Sequence, residues 1–241
     1  MAFEDAARAN MEALAANRYP GRGIVIGLTP DGRRCAQIYW IMGRSENSRN
    51  RVFVAEGDVV RTRPYDESKV EDPSLIIYNC TRSLRRSHIV SNGDQTDTVF
   101  KALAGGGTFE EALLTRTFEP DAPNFTARIA GLVDLDDETQ AYKLAIIKAL
   151  GNDERHCARQ FFNYRAGIPG VGHCVTTYAG DGSPLPAFEG EPYVVEIRDD
   201  IAELVDLYWR TLDEDNKISL LVKTIDLRSG ATALEVINKH G

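Results

Sequence analysis

The chain has 241 residues, 43% of them hydrophobic and 27% charged, a balance that fits a folded globular protein and excludes a largely disordered one. No stretch approaches the roughly 18 consecutive apolar residues of a membrane-spanning helix. With 28 basic against 36 acidic side chains the net charge is −8, which disfavours binding to nucleic acid through phosphate neutralisation.

Residues 3–17 carry Phe3, Ala6, Ala7, Met11, Leu14 and Ala15 at helical spacing, and Tyr19-Pro20-Gly21 stops that helix. The acids near the start and the lack of a continuous apolar core are unlike a secretory signal, so a cytoplasmic protein is expected. Gly23–Thr29 and Cys35–Met42 read as strands joined at Pro30-Asp31-Gly32, where Pro fixes φ and Gly accepts a positive one. Gly43–Asn50 reads as a polar loop, and Val52–Ala55 and Asp58–Thr62 as short strands around Gly57. Leu75–Thr81 and His88–Ser91 read as a strand pair, followed by an Asn92-Gly93 turn.

Helices are expected over Asp94–Ala104 and Thr108–Thr115, the second opened by a Thr108/Glu111 capping box. Phe118–Asn124 is a Pro-rich loop. Strands are expected at Ala127–Leu135, Ala141–Leu150 (a helix being the alternative there), Val171–Tyr178, Tyr193–Ile197 and Ile218–Asp226. Asp199–Leu212 is an amphipathic helix, and Ala231–Lys239 is expected to be a terminal one. No repeat or linker divides residues 1–241, so one domain is expected, and strands in hairpins with clustered helices point to α+β with two mainly antiparallel sheets.

Three clusters have chemical potential. In GRSENSRNR, Arg44, Arg49 and Arg51 are interleaved with Ser and Asn, a donor set that suits a phosphate; a solvated loop is the alternative. Of the 28 basic residues 21 are Arg, whose fork matches phosphate and carboxylate better than Lys does. In the second, Tyr78, Asn79 and Cys80 end an apolar strand, while Asn92, Asp94, Thr96 and Asp97 lie where a helix begins, so Asp94 or Thr96 could also be an N-cap. In the third, Glu119, Asp121, Asn124, Thr126 and Arg128 set two carboxylates near an Arg, suited to base and orienting roles or to a structural connector. Cys35, Cys80, Cys157 and Cys174 form no CxxC, so free thiols are expected, and the His156-Cys157 and His173-Cys174 pairs lack zinc spacing.

Together GRGIVIG, GRSENSRNR, IIYNC, VSNGDQTDT and FEPDAPNFTARI, in that order, resemble the archaeal-type IMP cyclohydrolases, best over residues 19–135. The resemblance implies a four-layer αββα sandwich similar to N-terminal-nucleophile hydrolases. It implies dehydrative closure of a formamidoimidazole carboxamide ribonucleotide to IMP, in purine synthesis, with no metal or redox cofactor. By the same resemblance, Arg22, Arg49 and Arg51, with Arg44, would meet phosphate or ribose. Tyr78 and Asn79 would meet the base or formyl oxygen, Asp121 would accept or orient a proton, and Arg128 would hold Asp121 or the substrate. Asn92, Thr96 and Asp97 would shape the pocket. The implied partner is a purine ribonucleotide, with no nucleic acid and no membrane, and a homo-oligomer is compatible with this. A non-catalytic nucleotide-binding relative and an amide or formamide hydrolase on the same fold stay open as alternatives.

Overall fold

Thr29 and Arg34 close the first hairpin: the Thr29 amide donates to the Arg34 carbonyl at 3.0 Å, and Gly32 sits at φ +67° where the turn needs it. The computed structural model describes residues 2–70 and 77–240. Helix α1 (Ala2–Ala16) leads into β1 (Gly23–Leu28) and β2 (Arg34–Met42). A single helical turn, α2 (Glu46–Arg49), precedes β3 (Val52–Glu56) and β4 (Val59–Arg63). Then come β5 (Asn79–Leu84), β6 (Ser87–Ser91), α3 (Gln95–Ala104) and α4 (Phe109–Leu114). The second half contains β7 (Arg128–Asp134), β8 (Tyr142–Leu150), β9 (Asp153–Tyr164), β10 (Val171–Thr176), β11 (Tyr193–Glu196), α5 (Ile201–Thr211), β12 (Lys217–Asp226) and β13 (Thr232–Asn238).

The strands form two antiparallel sheets, of order β11-β10-β1-β2-β12-β13 and β3-β4-β5-β6-β7-β8-β9. Alternation along the strands sorts side chains into layers. From β1 and β2, Ile24, Ile26, Tyr39 and Ile41 face the second sheet and meet Val60, Val90, Ile129 and Ile146. The opposite residues, Val25, Ile38 and Trp40, pack under α1 and α5 against Leu14, Leu204 and Tyr208. On the outer face of the second sheet, Ile89, Leu132 and Ile147 pack under α3 and α4 against Val99, Phe109 and Leu113. Helices thus flank two face-to-face sheets, and the expected α+β class holds.

Three local expectations need correction, and one strand was not expected. Residues 231–239 are not a helix: Thr232–Asn238 pairs with β12, with Leu221 opposite Val236. Leu234 and Val236 turn toward the inter-sheet core while Ile237 turns away, a period of two that the helix-favouring Ala and Glu disguise. Twelve-residue β9 had no apolar alternation to betray it, because it is a half-exposed sheet edge studded with charge and polar groups. The polar loop 43–50 contains α2, held by a reciprocal Ser45–Ser48 capping box. Finally, the strand expected at Leu75–Thr81 spans Asn79–Leu84; Leu75 and Ile76 lie outside the described residues. The Thr108/Glu111 box is present as expected, with the Glu111 amide donating to Thr108 Oγ1 at 3.1 Å.

Candidate active site

A cavity of about 250 Å³ opens at one end of the inter-sheet layer, where β1 starts, β2 ends and the loop before β7 crosses. Gly21 makes its tight wall. Its φ is +73°, and an added Cβ would sit 2.3 Å from Thr177 Oγ1 and 2.5 Å from the Tyr178 ring, so no side chain fits there. That close approach fixes the next residue, Arg22, whose backbone amide donates to Thr177 Oγ1 at 3.1 Å.

Arg22 and Glu119 form the cavity's floor. The guanidinium Nη2 lies 3.0 Å from Glu119 Oε2, with side-chain exposures of 10% and 4%. Burial opposes the Arg22 charge, but Glu119 and the surrounding phenols outweigh it and hold its pKa well above the ordinary value. Glu119 itself is pushed above the usual glutamate range, because burial exceeds the pull of Arg22 and Arg128. Asp121 sits beside them, accepting from the Thr126 amide at 2.6 Å and from the Thr126 hydroxyl. That hydroxyl also meets the Tyr178 hydroxyl at 2.5 Å, so carboxylate, threonine and phenol form one chain along the wall.

Arg51 enters from the other side. It is buried, at 4% exposure, and its guanidinium donates only to carbonyls, that of Ser48 at 2.8 Å and that of Met42 at 3.3 Å. No carboxylate lies within ion-pair distance among the described residues, which leaves a buried cation suited to an incoming anion. Ser45, Asn47 and Ser48 add small polar groups beside it. Arg44 stands at the rim, paired with Asp181 and stacked 4.8 Å from the Tyr19 ring.

The expected site residues therefore separate into three groups. Arg22, Arg44, Arg51 and Asp121 line the cavity together. Tyr78 lies just behind it, its hydroxyl 2.8 Å from that of Tyr39; burial raises its pKa while Arg51 and Arg22 pull it down, so the phenol stays protonated at neutral pH. The remainder face elsewhere. Asn79 and Arg82 reach under α3 to Asp97, at 3.1 and 2.7 Å. Arg128 donates to the Thr117 carbonyl, to Asp94 and to Gln95, while its charge also acts on Glu119 at the cavity floor. Asn92 is saturated, donating to the Ala127 carbonyl and accepting from the Ile129 amide and from Gln95. Thr96 bonds Ser91 and the Gly93 carbonyl, and Asp94, at the N-cap position, makes no side-chain cap. Arg49 turns to the Gly43 carbonyl and Asn216, away from the cavity.

Glu119 was visible in the sequence as one of two loop carboxylates, but nothing local marked it as the buried partner of a residue 97 positions away. Tyr19, Tyr39 and Tyr178 carried no motif; they reach the site through the fold. Of the two His-Cys pairs, His156 is exposed while His173 is held between Tyr142 and Tyr164. No helix of the described residues is long and apolar enough to cross a membrane, and no cluster of metal-ligating side chains occurs among them.

Two antiparallel sheets with helices outside, opening at one end onto a buried cation–carboxylate cluster, define an α+β protein with an enzyme-like polar pocket. The profile of the IMP cyclohydrolase-like protein family matches residues 19–230, and the chain belongs to that family. It is similar to the IMP cyclohydrolases of Methanocella arvoryzae, 34% identical over 119 residues (48% of this chain, 57% of the relative), and Methanopyrus kandleri, 33% over 103 residues (43% and 50%). That of Methanothrix thermoacetophila is 33% identical over 121 residues (48% and 57%). The chain thus spans about half the length of the curated relatives it matches.

Proposed function

We propose that the chain is an IMP cyclohydrolase, closing the pyrimidine ring of a formamidoimidazole carboxamide ribonucleotide with loss of water. The observation that carries this reading is that every residue lining the 250 Å³ cavity falls within the family-matched segment 19–230. On this reading the sandwich is also similar to that of the N-terminal-nucleophile hydrolases.

The reaction asks little of a protein. The carboxamide nitrogen forms a bond to the formyl carbon and gives up one proton. The formyl oxygen then leaves as water, with that proton and the one from the formamido nitrogen. Holding the two arms of the substrate together removes much of the barrier. Arg51, with the hydroxyls and amide of the α2 turn, takes the phosphate, as a buried guanidinium with no carboxylate partner among the described residues suits an anion. Arg22 donates to the oxygen as negative charge gathers on it. Glu119, poised by burial above the usual glutamate range, takes the proton from nitrogen and returns it to the departing oxygen. Asp121 orients the Thr126 and Tyr178 hydroxyls against the ring. Tyr39 and Tyr78 keep protonated phenols behind Arg22. No step requires a metal or a redox group.

Incubating the protein with 5-formamidoimidazole-4-carboxamide ribonucleotide and separating the products tests this. Catalytic formation of IMP is the expected result. Release of formate with the aminoimidazole would make the protein a formamide hydrolase, and tight IMP binding without turnover would make it a nucleotide-binding relative.

A further inference from the structure

A second and larger cavity, of about 780 Å³, opens at the same end of the sandwich on the far side of the 178–189 loop. Its size lies within the range of small-molecule sites. Leu14 of α1, Ala149 at the end of β8 and Phe188 give it an apolar floor, and Asn10, Asn17 and Asn152 set amide groups around it. Helix α1, which supplies one wall, lies outside the family-matched segment, so this cavity is not simply part of the pocket described above.

The feature that asks for a ligand is Lys148. Alternation on β8 sends it to the inter-sheet face with Ile146, where it is only 7% exposed and lines the cavity. An ammonium has three protons to donate. Lys148 Nζ makes one hydrogen bond among the described residues, to the Phe188 carbonyl, and no carboxylate lies within ion-pair distance of it. Glu189, exposed at the rim, acts on it only from farther off. Burial accordingly pulls the Lys148 pKa below the ordinary lysine value. A sequestered cation with unused donors beside an apolar floor is costly unless an anion completes it.

We propose that this cavity binds a small organic anion, its head paired with Lys148 and its flat apolar body lying on Leu14 and Phe188. The head is a carboxylate or a phosphomonoester, which offer the ammonium the same acceptor chemistry. The wall between the two cavities is shared. Leu185 lines the smaller cavity, where its amide donates to Asn124 at 3.0 Å, and its carbonyl accepts from Asn152 of the larger one at 3.3 Å.

The test uses 8-anilinonaphthalene-1-sulfonate, an aromatic anion whose fluorescence rises on apolar surfaces. We expect saturable binding at one site, weakened about 10- to 100-fold in Lys148→Met, the range of a charge-assisted contact. Replacing a buried, anion-less ammonium by methionine removes a cost, so this variant is expected to fold. Ala13→Trp, at an exposed position of α1 that lines the cavity, fills it without touching the core and is expected to abolish binding. Displacement of the dye by 1-naphthoate or 1-naphthyl phosphate supports the site, and the stronger competitor names the head group. Dye binding unchanged in either variant, no saturable binding, or displacement by neither naphthyl anion would overturn the proposal.

Discussion

Two polar regions of this protein were equally prominent in the sequence, and they prove to be opposites. Under α3, Asn79, Arg82, Asp97, Asn92, Arg128, Asp94 and Gln95 satisfy one another: each arginine has a carboxylate, and Asn92 spends both ends of its amide on neighbours. Between the sheets, Arg51 has no carboxylate within ion-pair distance among the described residues, and Glu119 is held above its ordinary pKa in a cavity open to a ligand. A saturated network stabilises and positions; an unsaturated one has binding energy left to use. The VSNGDQTDT segment fastens α3 to the sheet, whereas the function proposed above uses the cavity on the other side of that sheet.

The sharpest way to break this contrast is Glu119→Gln, which keeps the shape and removes the charge. We expect turnover to fall by about 10²–10⁴-fold, the span of general acid–base contributions. Glu119 must be ionised to accept a proton, and burial raises its pKa, so wild-type turnover should decline as pH falls through a value above the ordinary glutamate range of about 4.3. That acidic limb should vanish from the pH profile of the variant; a limb that persists unchanged would assign the proton transfer to another group.

Next in size are the two arginines that the loop 43–51 presents in opposite directions. Arg51→Ala should weaken IMP binding by calorimetry about 10- to 100-fold, whereas Arg49→Ala, already spent on Gly43 and Asn216, should change it less than about threefold. Equal losses would return Arg49 to the site.

The saturated region should respond in stability instead. Asn92→Ala strips hydrogen bonds from the Ala127 carbonyl, the Ile129 amide and Gln95, so we expect a loss of about 1–3 kcal/mol in denaturant unfolding with KM unchanged. A raised KM with unaltered stability would move Asn92 into the pocket. The smallest effect falls to the residue on the boundary. Tyr78→Phe removes only the hydroxyl that meets Tyr39, and we expect turnover to drop by about tenfold with IMP affinity within twofold. An unchanged turnover number with a lower melting temperature would leave Tyr78 a packing residue.

Much of the fold could be read directly, because its central strands carry uninterrupted apolar runs and its helices carry apolar stripes; β1, β2, β7 and α5 fall within a residue or two of expectation. What escaped was the periphery. Edge strand β9 buries too little to show a period, and in edge strand β13 Ala and Glu disguise the period of two and imitate a helix. The site was half legible for a related reason. Arginine-rich and acid-bearing loops announce themselves as segments, but which charge meets which is decided across the fold, as Arg22 with Glu119 shows. Neighbours in sequence can also point apart: Tyr78 looks toward the cavity and Asn79 away from it.

The proposed cyclisation uses the Arg22–Glu119 pair in catalysis and not as a structural tie. Single substitutions confound the two, since breaking a buried ion pair costs about 3–5 kcal/mol, whereas replacing both partners by apolar residues is often neutral or stabilising. The most direct measurement is therefore steady-state cyclisation of the formamido nucleotide by Arg22→Met/Glu119→Leu, with its melting temperature taken alongside. We expect a melting temperature at or above that of the unmodified protein and a turnover number at least about 100-fold lower. A folded double variant that closes the ring at close to the original rate would make the pair a structural tie.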